Sequence, residues 1–171
     1  MFLAENRGLL LAARGSSHNH QDWVGGYLDH IVDGSNIAIR LYECLSGLRA
    51  LPFELSSALV VFFVHDTEKP WKYALQTSVR SLYELETKEQ RREFRLAKIA
   101  EYGIALSAEE SRALEYVEGE GKAYSPQFRA MNELGAFCHM VDVASARLWH
   151  AYPKAAGRDE WRGADRSVHT G

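Results

Sequence analysis

An imidazole and a carboxylate stand side by side at the end of an apolar segment of the sequence. His65 and Asp66 follow the apolar run 60–64, and burying both groups costs free energy unless each finds a partner. His30 lies on the apolar face of an earlier predicted helix, and Asp142 lies among apolar residues of a later one. An aspartate in that setting needs a partner, and a bound cation is a suitable one. The alternatives are a helix end in solvent for the doublet and a hydrogen-bonded core residue for His30.

Hydrophobic periodicity predicts that helices carry these residues. The predicted helices cover residues 27–48, 53–66, 88–102, 107–118 and 127–152. The segment 53–66 would also suit a buried strand, but its spacing and the lack of a partner strand favour a helix. Ser107 and Glu110 form a capping-box pattern, which indicates a helix start. The fold class is therefore predicted to be all-α, a compact bundle of five or more helices.

Composition sets limits on domain number and partners. The chain has 171 residues, with 20 basic and 23 acidic residues and a formal net charge of −3. These values are typical of a globular protein, and we expect one domain over 1–171, with a core over about 18–153 and a polar tail over 155–171. Proteins that coat nucleic acid are usually basic, which makes nucleic acid a less favoured partner.

Targeting signals and cysteines point to the cytoplasm. No apolar run of the sequence reaches the length of about 20 residues that a membrane span requires, so we expect no membrane association. Cys44 and Cys138 are far apart and have no CxxC partner, which predicts two buried thiols in a reducing compartment. The sequence leaves a homo-oligomer open.

Four stretches of the sequence together resemble a known family. They are residues 20–30 (HQDWVGGYLDH), 30–38 (HIVDGSNIA), 65–70 (HDTEKP) and 140–147 (MVDVASAR). Their order, with a histidine, a His-Asp doublet and a late aspartate on successive helical elements, resembles the HD superfamily of metal-dependent phosphohydrolases. The resemblance covers residues 18–153 and implies an all-α HD-domain bundle.

By this resemblance, His30, His65, Asp66 and Asp142 are ligands of one divalent metal ion, with Mn, Co, Ni, Zn, Fe and Mg as candidates. Two neutral imidazoles and two carboxylates suit such an ion and leave positions for water and a phosphate oxygen. Dinuclear relatives carry extra histidines between the doublet and the last aspartate. This chain has no histidine between His65 and His139, so we expect a single metal.

Two residues beside the doublet are predicted to act in catalysis. Lys69 would attract an anionic substrate, because the two carboxylate ligands already cancel the charge of a divalent ion. Glu68 would serve as a general acid or base. The alternatives are a solvated lysine and a surface salt bridge. Glu118 and Glu120 lie where relatives carry the extra histidines, and either could contact metal-bound water or lie at a solvated helix end.

The substrate-binding prediction rests on four further residues and on Lys69. His18, His20 and Trp23 precede the first ligand helix and are expected to border the pocket, where Trp23 could stack on a base or fill the core. Arg147 would contact a phosphate or pair with a surface acid. The mixed-charge run 88–95 is interpreted as a solvated helix face.

These features lead to one functional hypothesis and two alternatives. We expect a phosphohydrolase that acts on a small phosphorylated substrate, most simply a nucleoside mono- or triphosphate, by attack of a metal-activated water on phosphorus. One alternative is an HD-type 3′→5′ exonuclease acting on single-stranded nucleic acid. The other is an HD module that binds nucleotides without catalysis.

Overall fold

The computed structural model describes residues 2–16, 20–74, 83 and 85–148. Over these ranges the chain is helical and contains no strand, which confirms the predicted all-α class with five or more helices. The helices are α1 (Phe2–Glu5), α2 (Arg7–Ala12), α3 (Gly26–Leu48), α4 (Leu55–Val64), α5 (Lys69–Lys72), α6 (Lys88–Glu101), α7 (Ala108–Tyr116) and α8 (Glu133–Leu148), with a 3-10 helix over Gly121–Ala123.

Four of these helices form the centre of the fold. Helix α3 packs against α4 and α8, and α7 packs against the same two helices. Their contacts bury apolar side chains from every member, among them Ala38, Phe62, Ala113 and Leu134. Helix α2 covers one side of the bundle through contacts with α3 and α5. The apolar positions of the periodic segments thus face a common core, as helical periodicity requires.

Local sequence signals account for two of the helix starts. Thr87 begins α6 and Ser107 begins α7, and each accepts a hydrogen bond from the backbone N–H three residues later. The side chains of Gln90 and Glu110 bond back to the cap residues, which completes a capping box at both helices. The predicted start at Ser107 is therefore confirmed.

The last helix starts later than its periodicity predicts. Its predicted range is 127–152, but α8 begins at Glu133. The Glu120 carboxylate accepts the backbone N–H groups of Ala130 and Met131, and the Arg112 guanidinium donates to the Ala130 carbonyl. These side chains bind backbone groups that a helix would use, so the segment before α8 stays non-helical. The predicted end, 149–152, lies outside the described residues, as do Pro153 and the tail over 155–171.

Gly34 allows α3 and α4 to approach closely. A Cβ atom at this position would lie 2.0 Å from Cζ of Phe62, well inside van der Waals contact. Only glycine therefore permits the ring of Phe62 to lie against the α3 backbone. This contact sets the spacing between α3 and the end of α4, which carry His30 and His65.

The two cysteines have different surroundings. Cys138 is buried in the core, as predicted, but Cys44 is exposed. The prediction of a buried thiol at Cys44 is therefore wrong, because this residue lies on the solvent side of α3 rather than on the face with Ala38. Within the described ranges, none of the helices combines the length and apolar character needed to cross a membrane.

Candidate metal centre

The structure brings His30, His65, Asp66 and Asp142 together from three elements. His30 comes from α3 and Asp142 from α8, while His65 and Asp66 follow the last residue of α4. One donor atom of each residue lies within 4.8 Å of the others. All but Asp142 are almost fully buried, so the cluster faces the interior.

The distances between donor atoms match those around a metal ion. Nε2 of His30 lies 3.4 Å from Nε2 of His65 and 3.3 Å from Oδ1 of Asp142, and Nε2 of His65 lies 3.0 Å from Oδ2 of Asp66. With metal–ligand bonds of about 2.1 Å, adjacent ligands lie about 3.0 Å apart in octahedral and about 3.4 Å apart in tetrahedral geometry. The four residues therefore fit a divalent ion with little rearrangement.

Hydrogen bonds at the far side of each imidazole fix which nitrogen is free. Nδ1 of His65 lies 2.5 Å from the Phe62 carbonyl oxygen, which can only accept, so Nδ1 carries the proton. Nδ1 of His30 lies 3.0 Å from Oγ of Ser145, whose hydroxyl donates to Oδ2 of Asp33. Because the Ser145 proton points to Asp33, His30 donates to Ser145. Such partners orient the imidazole ligands of metal sites.

The two Nε2 atoms consequently face each other as acceptors. Two unprotonated nitrogens 3.4 Å apart repel each other unless a cation or a proton lies next to them. Burial opposes the charged imidazole of His65, but Asp66 and Asp142 raise its pKa to about 10. The arrangement therefore favours a positive charge at its centre.

The two aspartates are held in their ionised form. Burial tends to raise the pKa of Asp66, yet His65 and Lys69 hold it well below the usual range. Burial also opposes ionisation of Asp142, while its contacts with the imidazoles of His30 and His65 lower its pKa. Oδ2 of Asp66 is buried and lies against the Lys69 ammonium and, at 3.0 Å, against Nε2 of His65. A buried, ionised carboxylate needs positive charge beside it, which a metal ion could also supply.

Lys69 and Glu68 lie beside the cluster, where the sequence places them. The ammonium of Lys69 contacts Oδ2 of Asp66; burial opposes its charge, but Asp66 raises its pKa. Glu68 is 2% exposed, and its Oε2 has no hydrogen-bond partner. Burial and then Asp66 raise the pKa of Glu68, against the influence of Arg95. Neither residue is the solvated side chain that the alternative interpretations describe.

The predicted substrate-binding residues do not all lie beside the cluster. The ring of His20 lies 5.1 Å from that of His30, and burial, with Lys69 and His30, lowers its pKa to about 4. Trp23 is half-buried and its Nε1 donates to Oδ2 of Asp29 at 2.6 Å. His18 lies outside the described residues.

Arg147 is exposed and lies on a different side of α8 from Asp142. Five residues of helix turn the side chain by about 140° relative to Asp142. The structure therefore does not bring Arg147 to the cluster, and its phosphate contact stays a prediction.

Glu118 and Glu120, for which the sequence allows two roles, have different environments. Glu120 accepts two backbone N–H groups before α8, which gives it a structural task. Glu118, in contrast, forms a second group of carboxylates with Asp66 and Glu68, whose oxygens lie within 4.8 Å of one another. Arg95, from the run interpreted as a solvated face, donates to the backbone carbonyl of His65.

Sequence reasoning missed the residues that orient His30. Ser145 and Gln21, which are buried, and Asp33, which is half-buried, form a network next to its Nδ1, with Nε2 of Gln21 donating to the Ser145 carbonyl at 3.2 Å. The available signal was spacing: Asp33 and Ser145 each lie three residues after a proposed ligand on the same helix. A serine on the inner face of an apolar helix requires a hydrogen-bond partner.

No family model matches the sequence, and no curated protein or solved structure matches it either. The assignment of the cluster therefore rests on its own geometry and on the residue patterns.

Proposed function

We propose that this protein is a metal-dependent phosphohydrolase of HD type that acts on a small phosphorylated substrate, most simply a nucleoside mono- or triphosphate. The observation that carries the proposal is the set of four donor atoms from His30, His65, Asp66 and Asp142 at metal-ligand spacing. The motif HDTEKP and its order relative to His30 and Asp142 support the same family.

A divalent ion bound there would polarise a phosphoryl oxygen and lower the pKa of a water molecule. The ligand set contributes two negative charges, which balance the ion. An anionic substrate then needs a positive charge from elsewhere. Lys69 supplies it, since its ammonium lies at Asp66 and its side chain is 15% exposed, enough to reach a phosphate at the rim of the cluster.

Glu68 provides the acid–base group in this proposal. Its carboxyl lies beside Asp66 and is shielded from water, and its raised pKa keeps more of the protonated form than a solvated glutamate would have. Oε2 of Glu68 can take up or release a proton, because this oxygen has no hydrogen-bond partner. A group of this kind typically contributes about 10²–10⁴-fold to a rate.

His20 lies beside the cluster, next to His30. Its low pKa means that it is neutral at pH 7, so it adds no charge beside Lys69. The single N–H of the neutral imidazole is at Nδ1, which donates to Oε1 of Gln21, so Nε2 is left as a hydrogen-bond acceptor. In the predicted substrate pocket, His20 would therefore accept a hydrogen bond from a hydroxyl group of the substrate.

The decisive experiment combines metal analysis with a substrate panel. Protein stripped with a chelator is reconstituted separately with Mn²⁺, Co²⁺, Ni²⁺, Zn²⁺, Fe²⁺ and Mg²⁺ and assayed on nucleoside mono-, di- and triphosphates and on single-stranded oligonucleotides. We expect release of phosphate or pyrophosphate from a nucleotide. Degradation of oligonucleotides alone would favour the exonuclease, and metal binding with nucleotide binding but no turnover would favour the non-catalytic module.

Two variants test the assignment of the ligands. Asp66→Ala should remove both the bound metal and the activity, whereas Asp22→Ala, which only breaks an ion pair with the partly exposed Arg14, should change neither. Lys69→Ala should retain the metal and raise KM for the substrate. Metal content and activity that survive in Asp66→Ala would refute the proposed centre.

A further inference from the structure

A cleft between α6 and α7 is lined by basic side chains. It consists of two cavities of about 290 and 520 Å³, which share Arg92, Arg95, Leu114 and Glu115 in their lining. The basic residues that line the two cavities are Lys88, Arg91, Arg92, Arg95, Arg112 and Lys122. The run 88–95, whose mixed charge predicts a solvated helix face, therefore lines this cleft with one of its sides.

The basic residues of α6 lie on one face of that helix. Lys88, Arg91, Arg92 and Arg95 are separated by three or four residues, and side chains at this spacing are neighbours on a helix surface. Seven residues of helix correspond to about 10 Å along the axis. The positive charges therefore form a row, which suits an extended anion with several charged groups better than a compact one.

Three of the arginines are fixed by neutral groups. Arg91, Arg95 and Arg112 donate to backbone carbonyls that lie before α6, after α4 and before α8, respectively. A carbonyl carries no net charge, so these bonds orient each guanidinium without cancelling its charge, and each retains further N–H donors out of its five. Within the described ranges, Arg92 forms no hydrogen bond or ion pair. The cleft thus presents oriented, uncompensated donors.

The acidic residues of the cleft do not balance its positive charge. The smaller cavity combines three arginines with Glu115 as its one acidic residue. The larger cavity is also lined by Glu89, Glu118 and Glu120, which leaves six basic and four acidic residues in the whole cleft. Glu120 is already engaged with two backbone N–H groups. In a chain with a net charge of −3, this local positive excess favours an anionic ligand.

We propose that this cleft binds a chain of phosphate groups. The planar guanidinium groups match the oxygens of phosphates, with which they form paired, charge-assisted hydrogen bonds. The four proposed metal ligands do not line the cleft, so the site is distinct from the candidate metal centre and binds without a metal. It lies next to that centre, because Arg95 donates to the backbone carbonyl of His65.

The test is a calorimetric titration of sodium tripolyphosphate into the chelator-stripped full chain. We expect one equivalent to bind, with an affinity that falls as the salt concentration rises. Arg92→Gln and Lys122→Gln should each weaken binding about tenfold, since each loses a charged donor at an exposed position. Arg40→Gln is the matched control, because it removes the same charge from α3, where Arg40 only pairs with Glu43 on the surface.

Lys69→Ala separates the cleft from the metal centre, and it should leave the affinity for tripolyphosphate unchanged. A loss of binding in Lys69→Ala and none in Arg92→Gln would place the phosphates at the metal centre and overturn the proposal. Absence of binding in the unmodified protein would overturn it as well, as would an unchanged affinity in both Arg92→Gln and Lys122→Gln. None of these results depends on metal-dependent activity, so the proposed function stands or falls separately.

The ligands compared in the same titration identify the source of the phosphate chain. Inorganic phosphate should bind at least tenfold more weakly than tripolyphosphate, because a single group meets only part of the row of charges, and equal affinities would contradict a site for a chain. Tighter binding of adenosine or guanosine triphosphate than of tripolyphosphate would assign the cleft to a nucleotide. Equal affinities for the nucleotides and tripolyphosphate would assign it to the phosphate chain alone.

Discussion

Helices α3 and α8 run side by side and build two different interiors at their two ends. At one end, His30, Asp33, Asp142 and Ser145 form a polar cluster in which side chains orient one another. At the other end, Tyr42 of α3 and Phe137 of α8 pack with Phe53, and the three ring centroids lie 5.3 to 6.2 Å apart. The same pair of helices thus has an apolar end and a polar end.

The candidate metal centre does not lie in the cavity at the aromatic end of these helices. A cavity of about 670 Å³ lies at the aromatic end, where Phe53, Phe128 and Met140 contribute to its lining. It contains none of the proposed metal ligands. The candidate centre is instead found where buried polar groups converge, because such groups are costly to bury and need a positive charge to compensate them.

The largest effect is expected from removing packing at the aromatic end. Phe137→Ala should destabilise the fold by about 3–5 kcal/mol, because it deletes a buried ring and leaves a cavity. Metal affinity should stay unchanged, because the rings that pack against Phe137 are those of Tyr42 and Phe53 at the aromatic end. Phe128→Ala, at a side chain that is 63% exposed, is the control and should cost much less. Chemical denaturation and metal titration measure the two quantities, and weaker metal binding in Phe137→Ala would show that the ends are coupled.

Gly34→Ala should affect both stability and the metal centre. The added methyl group overlaps with the ring of Phe62, so α3 and α4 must separate, at a cost of about 1–3 kcal/mol. That separation also moves His30 away from His65, and the longer distance between the two imidazoles should weaken metal binding. Gly47→Ala on the same helix meets no atom within 4 Å, and it should leave metal affinity unchanged. Equal metal affinity in the two variants would argue against this role of Gly34.

A smaller effect, restricted to the polar end, is expected from Ser145→Ala. Loss of the hydroxyl leaves Nδ1 of His30 without its acceptor, and partners of this kind typically change metal affinity by about 10–100-fold. Ser35→Ala is the control, because that hydroxyl only bonds to the Ile31 carbonyl of its own helix. Competition titrations with a coloured chelator provide the measurement. An unchanged affinity would mean that Ser145 does not orient His30.

The smallest perturbation is chemical labelling of the two thiols. Burial raises the pKa of Cys138 to about 12, so at pH 8 only about one thiol in ten thousand is ionised, and the thiolate is the reactive form. Cys44 is exposed and should react first. Raising the pH should increase the thiolate fraction of Cys138, which reaches one half only near pH 12. Mass spectrometry of the labelled chain should find one label in native protein and two after denaturation.

Much of the scaffold follows from local sequence. Apolar spacing predicts α3 almost to its observed bounds, and the capping box at Ser107 predicts the start of α7. These signals work because helix formation depends on residues within a few positions of each other. The start of α8 is predicted wrongly, since Glu120 and Arg112 bind the preceding segment from positions that are distant in sequence.

The sequence by itself determined the types and order of the proposed ligands, since each of them is conspicuous in its own segment. Only the tertiary structure decided that their donor atoms meet, because the approach of α3 and α4 at Gly34 is a contact between distant parts of the chain. Only the tertiary structure shows that Ser145 orients His30, because the pattern of α8 predicts only that Ser145 lies on the inner face of the helix. The same is true of Glu118, whose distance from Asp66 depends on how α7 packs rather than on its sequence neighbours.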